Sequence, residues 1–129
     1  MWLYEGKEFT EDQVQNFVGF VYLIENKTTG LLYVGKKLFT KAKRFQKNKK
    51  VKKIRVNSDW VNYVGSNKVL VEDAAIGHEL NKTILHLCKS KGWMSYFETL
   101  EILQREAIQS DKYYNNWVSC KIQKVHLVK

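Results

Sequence analysis

Hydrophobic residues along this chain come in short blocks separated by polar turn residues, and the blocks follow two periods. Residues 18–25, VGFVYLIE, are β-branched and aromatic, which predicts a buried strand. Asn26-Lys27-Thr28-Thr29-Gly30 supplies turn chemistry. Leu31-Leu32-Tyr33-Val34 then returns as a second strand that Gly35 ends, so the pair reads as a hairpin. Thr83 to Cys88 is apolar with imperfect alternation and suits a third strand.

Helical signals sit between and around these strands. Thr10-Glu11-Asp12-Gln13 marks a helix start before Val14 and Phe17. Ser58 and Asp59 can cap a short helix carrying Trp60 and Tyr63, closed by Gly65-Ser66-Asn67. Residues 68–76 read as another helix, stopped by Gly77. Ser95-Tyr96-Phe97-Glu98 has capping-box spacing and opens a helix expected to bury Phe97, Leu100 and Leu103, with Ala107 and Ile108 beyond. Tyr113-Tyr114-Asn115-Asn116 is a turn, and residues 117–128 are expected to be extended. The predicted fold is α+β, a small three-stranded antiparallel sheet flanked by helices. The division expected is an N-terminal extension (1–17), a domain (18–118) with a basic insertion (36–57), and a C-terminal strand or tail (119–129).

A chain of 129 residues matches one ordinary domain, and its 44% hydrophobic content argues for a packed core over disorder. No apolar run approaches the roughly 18 residues of a membrane span, and the N-terminus lacks the apolar core of a signal peptide. Cys88 ends the run Ile84, Leu85, Leu87 and reads as a buried thiol, although a bridge to Cys120 is arithmetically open. The expectation is a cytoplasmic protein.

Charge changes the picture more. Residues 36–55 hold eleven Lys or Arg and no acid, whereas the rest of the chain sums to −2 of the net +9. The excess is one local patch, the pattern of a polyanion-binding surface. It would be a loop or irregular helix offering Lys41, Lys43, Arg44, Lys47, Lys49, Lys50, Lys52 and Lys53 to nucleic acid. The competing reading is a solvated loop that aids solubility. Leu38, Phe39, Phe45, Val51 and Ile54 are too scattered for a membrane-binding helix.

The hairpin, GFVYLIENKTTGLLYVG, resembles the paired signature of the GIY-YIG nucleases. F-V-Y (20–22) would stand for the first tripeptide and Y-V-G (33–35) for the second. D-W-x-x-Y-x-G-S (59–66), Gly77, I-L-H-L-C (84–88), an acidic helix near Glu98 and Y-Y-N (113–115) follow in the order seen in phage-borne, homing-endonuclease-like members. The resemblance implies a small α/β sandwich, a Mg²⁺ (or Mn²⁺) cofactor and a DNA substrate, with RNA also open. A homodimer on DNA and an origin in a phage-infected bacterium are further expectations from it.

Phosphodiester hydrolysis needs an activated water, neutralised phosphoryl oxygens and support for the leaving oxygen. Tyr22 and Tyr33, on paired strands, would present two phenols on one sheet face, with Lys36 and Lys37 placed to favour phenolate. By resemblance, one tyrosine positions the water and the other contacts the phosphate. Read without the resemblance, both are half-buried strand aromatics. Glu98 is the candidate metal ligand, with Glu101 as the alternative and a capping role for Glu98 as the competitor. Asn115 matches a supporting asparagine of the family, though Asn in Y-Y-N-N is also turn chemistry. The family's Arg, four residues before a His or Tyr, is absent, because Asp59 holds that place before Tyr63, the candidate general base. Lys36, Lys37, Arg44 or Arg55 would supply the missing cation. The three histidines show no metal-ligand spacing with the cysteines. Three functions remain: a metal-dependent DNA endonuclease, a nucleic-acid-binding protein that kept the fold and lost the chemistry, and a basic protein that binds an acidic protein partner, which leaves the two tyrosine motifs unexplained.

Overall fold

Alternation along one central strand divides the core in two. In β3 (Gly19–Asn26), Phe20, Tyr22 and Ile24 pack on one face, and Val21 and Leu23 on the other. The computed structural model describes residues 1–119 and 121–127, so a bridge to Cys120 lies outside the described residues. β4 (Leu32–Leu38) and β7 (Leu80–Cys88) flank β3, both antiparallel. β7 carries one extra residue: its register passes from Val21↔His86 to Tyr22↔Ile84 and skips Leu85. A one-residue shift exchanges faces. Ile84 therefore joins Tyr22, while Cys88 packs with Val21.

The sheet is larger than the three antiparallel strands expected. Two N-terminal strands, β1 (Trp2–Tyr4) and β2 (Lys7–Glu8), extend it to the order β2-β1-β7-β3-β4, and it is mixed. β1 runs parallel to β7, and β2 pairs antiparallel with β1. The stretch expected as an extension is thus part of the sheet. Trp2 is buried against Phe20 and Tyr22, with ring centroids 4.9 and 5.2 Å away, and its indole N–H donates to the Trp60 carbonyl at 2.7 Å. The signal at Thr10 yields one 3-10 turn, Glu11–Gln13.

α1 (Lys68–Ala75) agrees with expectation: Asn67 caps it by accepting from the Leu70 amide at 3.1 Å, and Gly77 (φ +98°) follows its end. α2 (Lys91–Gln104) starts earlier than expected. Its cap is Ser90, which accepts from the Trp93 amide at 3.2 Å, so Ser95 and Glu98 lie inside the helix and form no capping box. The buried stripe runs through Met94 and Ile102, which leaves Leu103 57% exposed and Ile108 exposed, while Ala107 is buried.

The basic segment is neither loop nor helix. β5 (Thr40–Lys47) and β6 (Lys50–Asn57) form a separate antiparallel hairpin. Asn48 and Lys49, at φ +53° and +60°, make its two-residue turn, the geometry whose twist suits a hairpin. Phe45, Ile54 and Val56 share one face, since Phe45 lies opposite Lys52, Lys43 opposite Ile54 and Lys41 opposite Val56, whereas Val51 lies opposite Gln46 on the other face. In the C-terminal stretch expected to be extended, Lys124–His126 form a 3-10 turn. That turn lies against Gly92 of α2, where a side chain would collide with the His126 backbone. Among the described residues, no helix is long and apolar enough to cross a membrane.

Candidate active site

β4 is an edge strand, so its outer backbone groups need partners. The Leu32 amide donates to the Lys112 carbonyl at 2.9 Å, and the Tyr114 amide to the Leu32 carbonyl at 2.7 Å. One step along, the buried Asn115 side chain replaces backbone: its Oδ1 accepts from the Val34 amide at 3.0 Å and its Nδ2 donates to the Val34 carbonyl at 2.9 Å. Beyond Val34 the edge opens into a cleft of about 510 Å³, lined among others by Tyr33, Lys36, Ser66, Glu98, Asn115 and Trp117.

Tyr33 enters from the Tyr22 face. Its hydroxyl shares a 3.1 Å hydrogen bond with Ser66 Oγ, and its ring centroid is 6.2 Å from that of Tyr22. Burial raises the Tyr33 pKa, the Ser66 bond partly lowers it, and the Glu98 carboxylate adds to the rise. Tyr22 is fully buried, and among the described residues its hydroxyl is the one buried side-chain polar atom without a hydrogen-bond partner. Burial pushes its pKa well up, and Tyr63, Tyr33 and Glu98 push it further. Both phenols are therefore neutral at neutral pH, contrary to the expected phenolates. Strand alternation explains the difference, because Lys36 lies on the face opposite Tyr33. Lys37 shares the Tyr33 face but pairs with Asp59 at 2.7 Å and sits 4.1 Å over the Tyr63 ring.

Lys36 and Glu98 enter from the other face. Lys36 Nζ donates to Ser95 Oγ at 2.8 Å and lies 3.9 Å from a Glu98 oxygen. Glu98 falls between Met94 and Ile102 on the buried stripe of α2, and burial raises its pKa while Lys36 partly offsets the rise. Glu101 is differently placed. One of its oxygens is 2.8 Å from His86 Nε2 and the other accepts from Arg105 Nε at 2.9 Å. Burial pushes the Glu101 pKa up, but the His86 and Arg105 hydrogen bonds outweigh it and leave the pKa lowered. Both oxygens of that carboxylate are engaged, and it does not line the cleft.

Other sequence-predicted residues lie apart. Tyr63 packs edge-on against Tyr22 at 6.1 Å and is absent from the cleft lining. Arg55 belongs to β6, where its guanidinium binds the Thr40 carbonyl at 2.7 Å and the Thr40 hydroxyl. Arg44, Lys41, Lys43, Lys47, Lys49, Lys50, Lys52 and Lys53 are exposed on the hairpin. Trp117 is 72% exposed at the cleft rim, whereas Trp60 is buried. Among the described residues no three His, Cys, Asp or Glu side chains converge as a metal cage.

The F-V-Y and Y-V-G segments pair directly, with Tyr22 opposite Gly35 and Tyr33 opposite Ile24. A family model described as "Putative endonuclease segE, GIY-YIG domain" matches residues 2–118. The chain belongs to this family. Neither the curated proteins nor the solved structures provide a match. The GIY-YIG match takes in β1 and the basic hairpin as well as the paired tripeptides.

Three participants escaped the sequence reading. Ser66 and Ser95 hold Tyr33 and Lys36, yet a serine near a helix start reads first as a cap. Lys82 donates to the carbonyls of Tyr63 at 2.9 Å and Val61 at 3.2 Å, tying the segment that carries Tyr63 to β7. Burial lowers its pKa to about 8. An isolated lysine at an inward strand position was the available signal.

Proposed function

We propose that the cleft at the β4 edge is the active site of a divalent-metal-dependent DNA endonuclease that hydrolyses phosphodiester bonds. The observation that carries this reading is the convergence of Tyr33, Lys36 and Glu98 from two sheet faces on one cleft, in a GIY-YIG endonuclease domain. A lone, partly desolvated carboxylate fits a hard, largely hydrated cation such as Mg²⁺ or Mn²⁺, whose remaining ligands are waters and substrate phosphate. When bound, such an ion supplies Lewis acidity at the phosphate and charge support for the leaving oxygen.

The chain's own groups take the other roles. Lys36, already drawn to Glu98 and Ser95, offsets phosphoryl charge in place of the family's arginine. A lysine does this as a point charge and lacks the bidentate grip of a guanidinium. Tyr33, a neutral phenol anchored by Ser66, orients the attacking water by hydrogen bonding rather than abstracting its proton as phenolate. Asn115 is a positioning residue that fixes the Val34 backbone between Tyr33 and Lys36.

Supercoiled plasmid incubated with Mg²⁺ or with EDTA tests the reading. Nicking is expected with Mg²⁺ alone, and it should vanish in Glu98→Ala and Tyr33→Phe proteins that remain folded. Absence of cleavage by the wild type on plasmid, single-stranded DNA and RNA, with binding intact, would assign the chain to non-catalytic nucleic-acid binding.

A further inference from the structure

The β5–β6 hairpin is built against its own stability. Arg44 lies directly opposite Lys53 and Lys47 directly opposite Lys50, and like charges facing each other across a ladder are destabilising. No acid relieves them, since residues 36–55 contain none. Most of its side chains are exposed, and no second layer covers either face. Its base is nevertheless held firmly. Phe39, the single residue between β4 and β5, is buried among Phe9, Phe20 and Trp60. The Phe39 carbonyl accepts from the Ser58 amide at 2.9 Å, and Ser58 Oγ donates to the Leu38 carbonyl at 2.6 Å. The hairpin thus continues, from an anchored base, the strand that carries Tyr33 and Lys36.

Its cations are distributed over both faces. Arg44, Lys53 and Arg55 lie on one side with the neutral Gln46, and Lys41, Lys43, Lys47, Lys50 and Lys52 on the other. A ribbon laid on a flat row of phosphates would use only one of these sets. A ribbon sunk in a groove has phosphates along both walls and base edges below. Strands of eight residues span about 26 Å, or about eight base pairs at about 3.4 Å each. The B-form major groove, about 12 Å wide, admits a two-stranded ribbon, whereas the A-form major groove is too deep and narrow for side chains to read. The Arg44 and Gln46 side chains have no hydrogen-bond or ion-pair partner among the described residues, and their head groups can read guanine and adenine edges.

We infer that the β5–β6 hairpin inserts into the major groove of B-form duplex DNA, with the Arg44–Gln46 face toward the bases and the lysines on the phosphate walls. The inference rests on the nucleic-acid reading of the same protein but not on its catalysis. Equilibrium binding in EDTA keeps the two apart, because a protein that binds through the hairpin and never cuts removes only the nuclease claim.

Two altered proteins are needed. One replaces residues 40–57 with a tight Asn-Gly turn between Phe39 and Ser58. The other, Lys43→Gln/Lys47→Gln/Lys50→Gln/Lys52→Gln, keeps the ribbon in case the deletion does not fold. The probes are a DNA duplex, an RNA duplex and single-stranded DNA of one sequence, plus the DNA duplex methylated at guanine N7. The wild type should prefer the DNA duplex by at least about tenfold, and either alteration should weaken that binding at least about tenfold and flatten its salt dependence. N7 methylation should interfere over a run of about eight base pairs. Equal affinity for all three nucleic acids, indifference to N7 methylation, or full duplex binding by a folded altered protein would each overturn the inference.

Discussion

Tyr22 and Gly35 face each other across β3 and β4, and the Tyr22 ring occupies the space where a side chain on residue 35 would begin. A Cβ there would stand 2.5 Å from Tyr22 Cζ, far inside contact distance. Glycine in the Y-V-G tripeptide thus lets an aromatic ring from the first tripeptide lie flat over the second strand. Gly35→Ala should lower stability by about 1–3 kcal/mol as an overpacking change, read by urea denaturation.

Tyr22→Phe should do the opposite. It removes a buried hydroxyl that has no partner, so the desolvation cost of that group, about 1–3 kcal/mol, is relieved in part. A rise in the denaturation midpoint is expected. A fall would mean that the hydroxyl is bonded in solution, for example through water.

Asn115 should be less forgiving than its turn-like sequence suggests. Asn115→Ala strands the Val34 amide and carbonyl on a covered edge, at about 1–3 kcal/mol for each buried unpaired group. Asn115→Asp can still accept from the amide, yet its second oxygen faces the Val34 carbonyl with no proton to donate. Both variants should melt below the wild type, which thermal denaturation checks. Wild-type stability in Asn115→Asp would show that the amide nitrogen contributes nothing.

Glu98 links stability to pH and, on the proposed reading, to metal. Its folded-state pKa is raised above the ordinary 4.5. Over the window between these values the native state holds a proton that the unfolded state has released, so stability falls as pH rises through it. Glu98→Gln removes that loss and forfeits only a half-exposed pair with Lys36, worth under about 1 kcal/mol. The variant should be as stable as the wild type, or more so, at about pH 7, with the gap closing below about pH 4.5. Added Mg²⁺ should raise the wild-type melting temperature and leave Glu98→Gln unmoved. An equal rise in both proteins would place the ion elsewhere.

How much was legible follows from where the signals lie. The β3–β4 hairpin could be read because apolar runs flank an Asn-to-Gly turn, and α1 because Asn67 and Gly77 bracket it. β1 could not, since three residues display no period and its partner β7 is some eighty residues away. The basic hairpin hid because its turn is Asn48-Lys49 rather than Asn-Gly, and Phe45 stands between Lys43 and Lys47 with no apolar residue two positions away. The period of two shows only in Ile54 and Val56. Glu98 was singled out in the right helix but the wrong context: Ser90 outcompeted Ser95 as the cap. A carboxylate four residues from both Met94 and Ile102 was the more telling pattern. Lys36 and Lys37 adjoin in sequence, whereas alternation sends them to opposite faces and different partners.

On the proposed reading, Lys36 and Glu98 act together on a phosphodiester held in the β4-edge cleft. Single-turnover cleavage of a labelled duplex at saturating protein, with Mg²⁺, tests it most directly in wild type, Glu98→Gln, Lys36→Met and Lys36→Arg. The first two variants should lose at least about a hundredfold in rate with duplex affinity nearly unchanged, and Lys36→Arg should recover part of the loss. Rates in Glu98→Gln and Lys36→Met within a few-fold of wild type would contradict that reading.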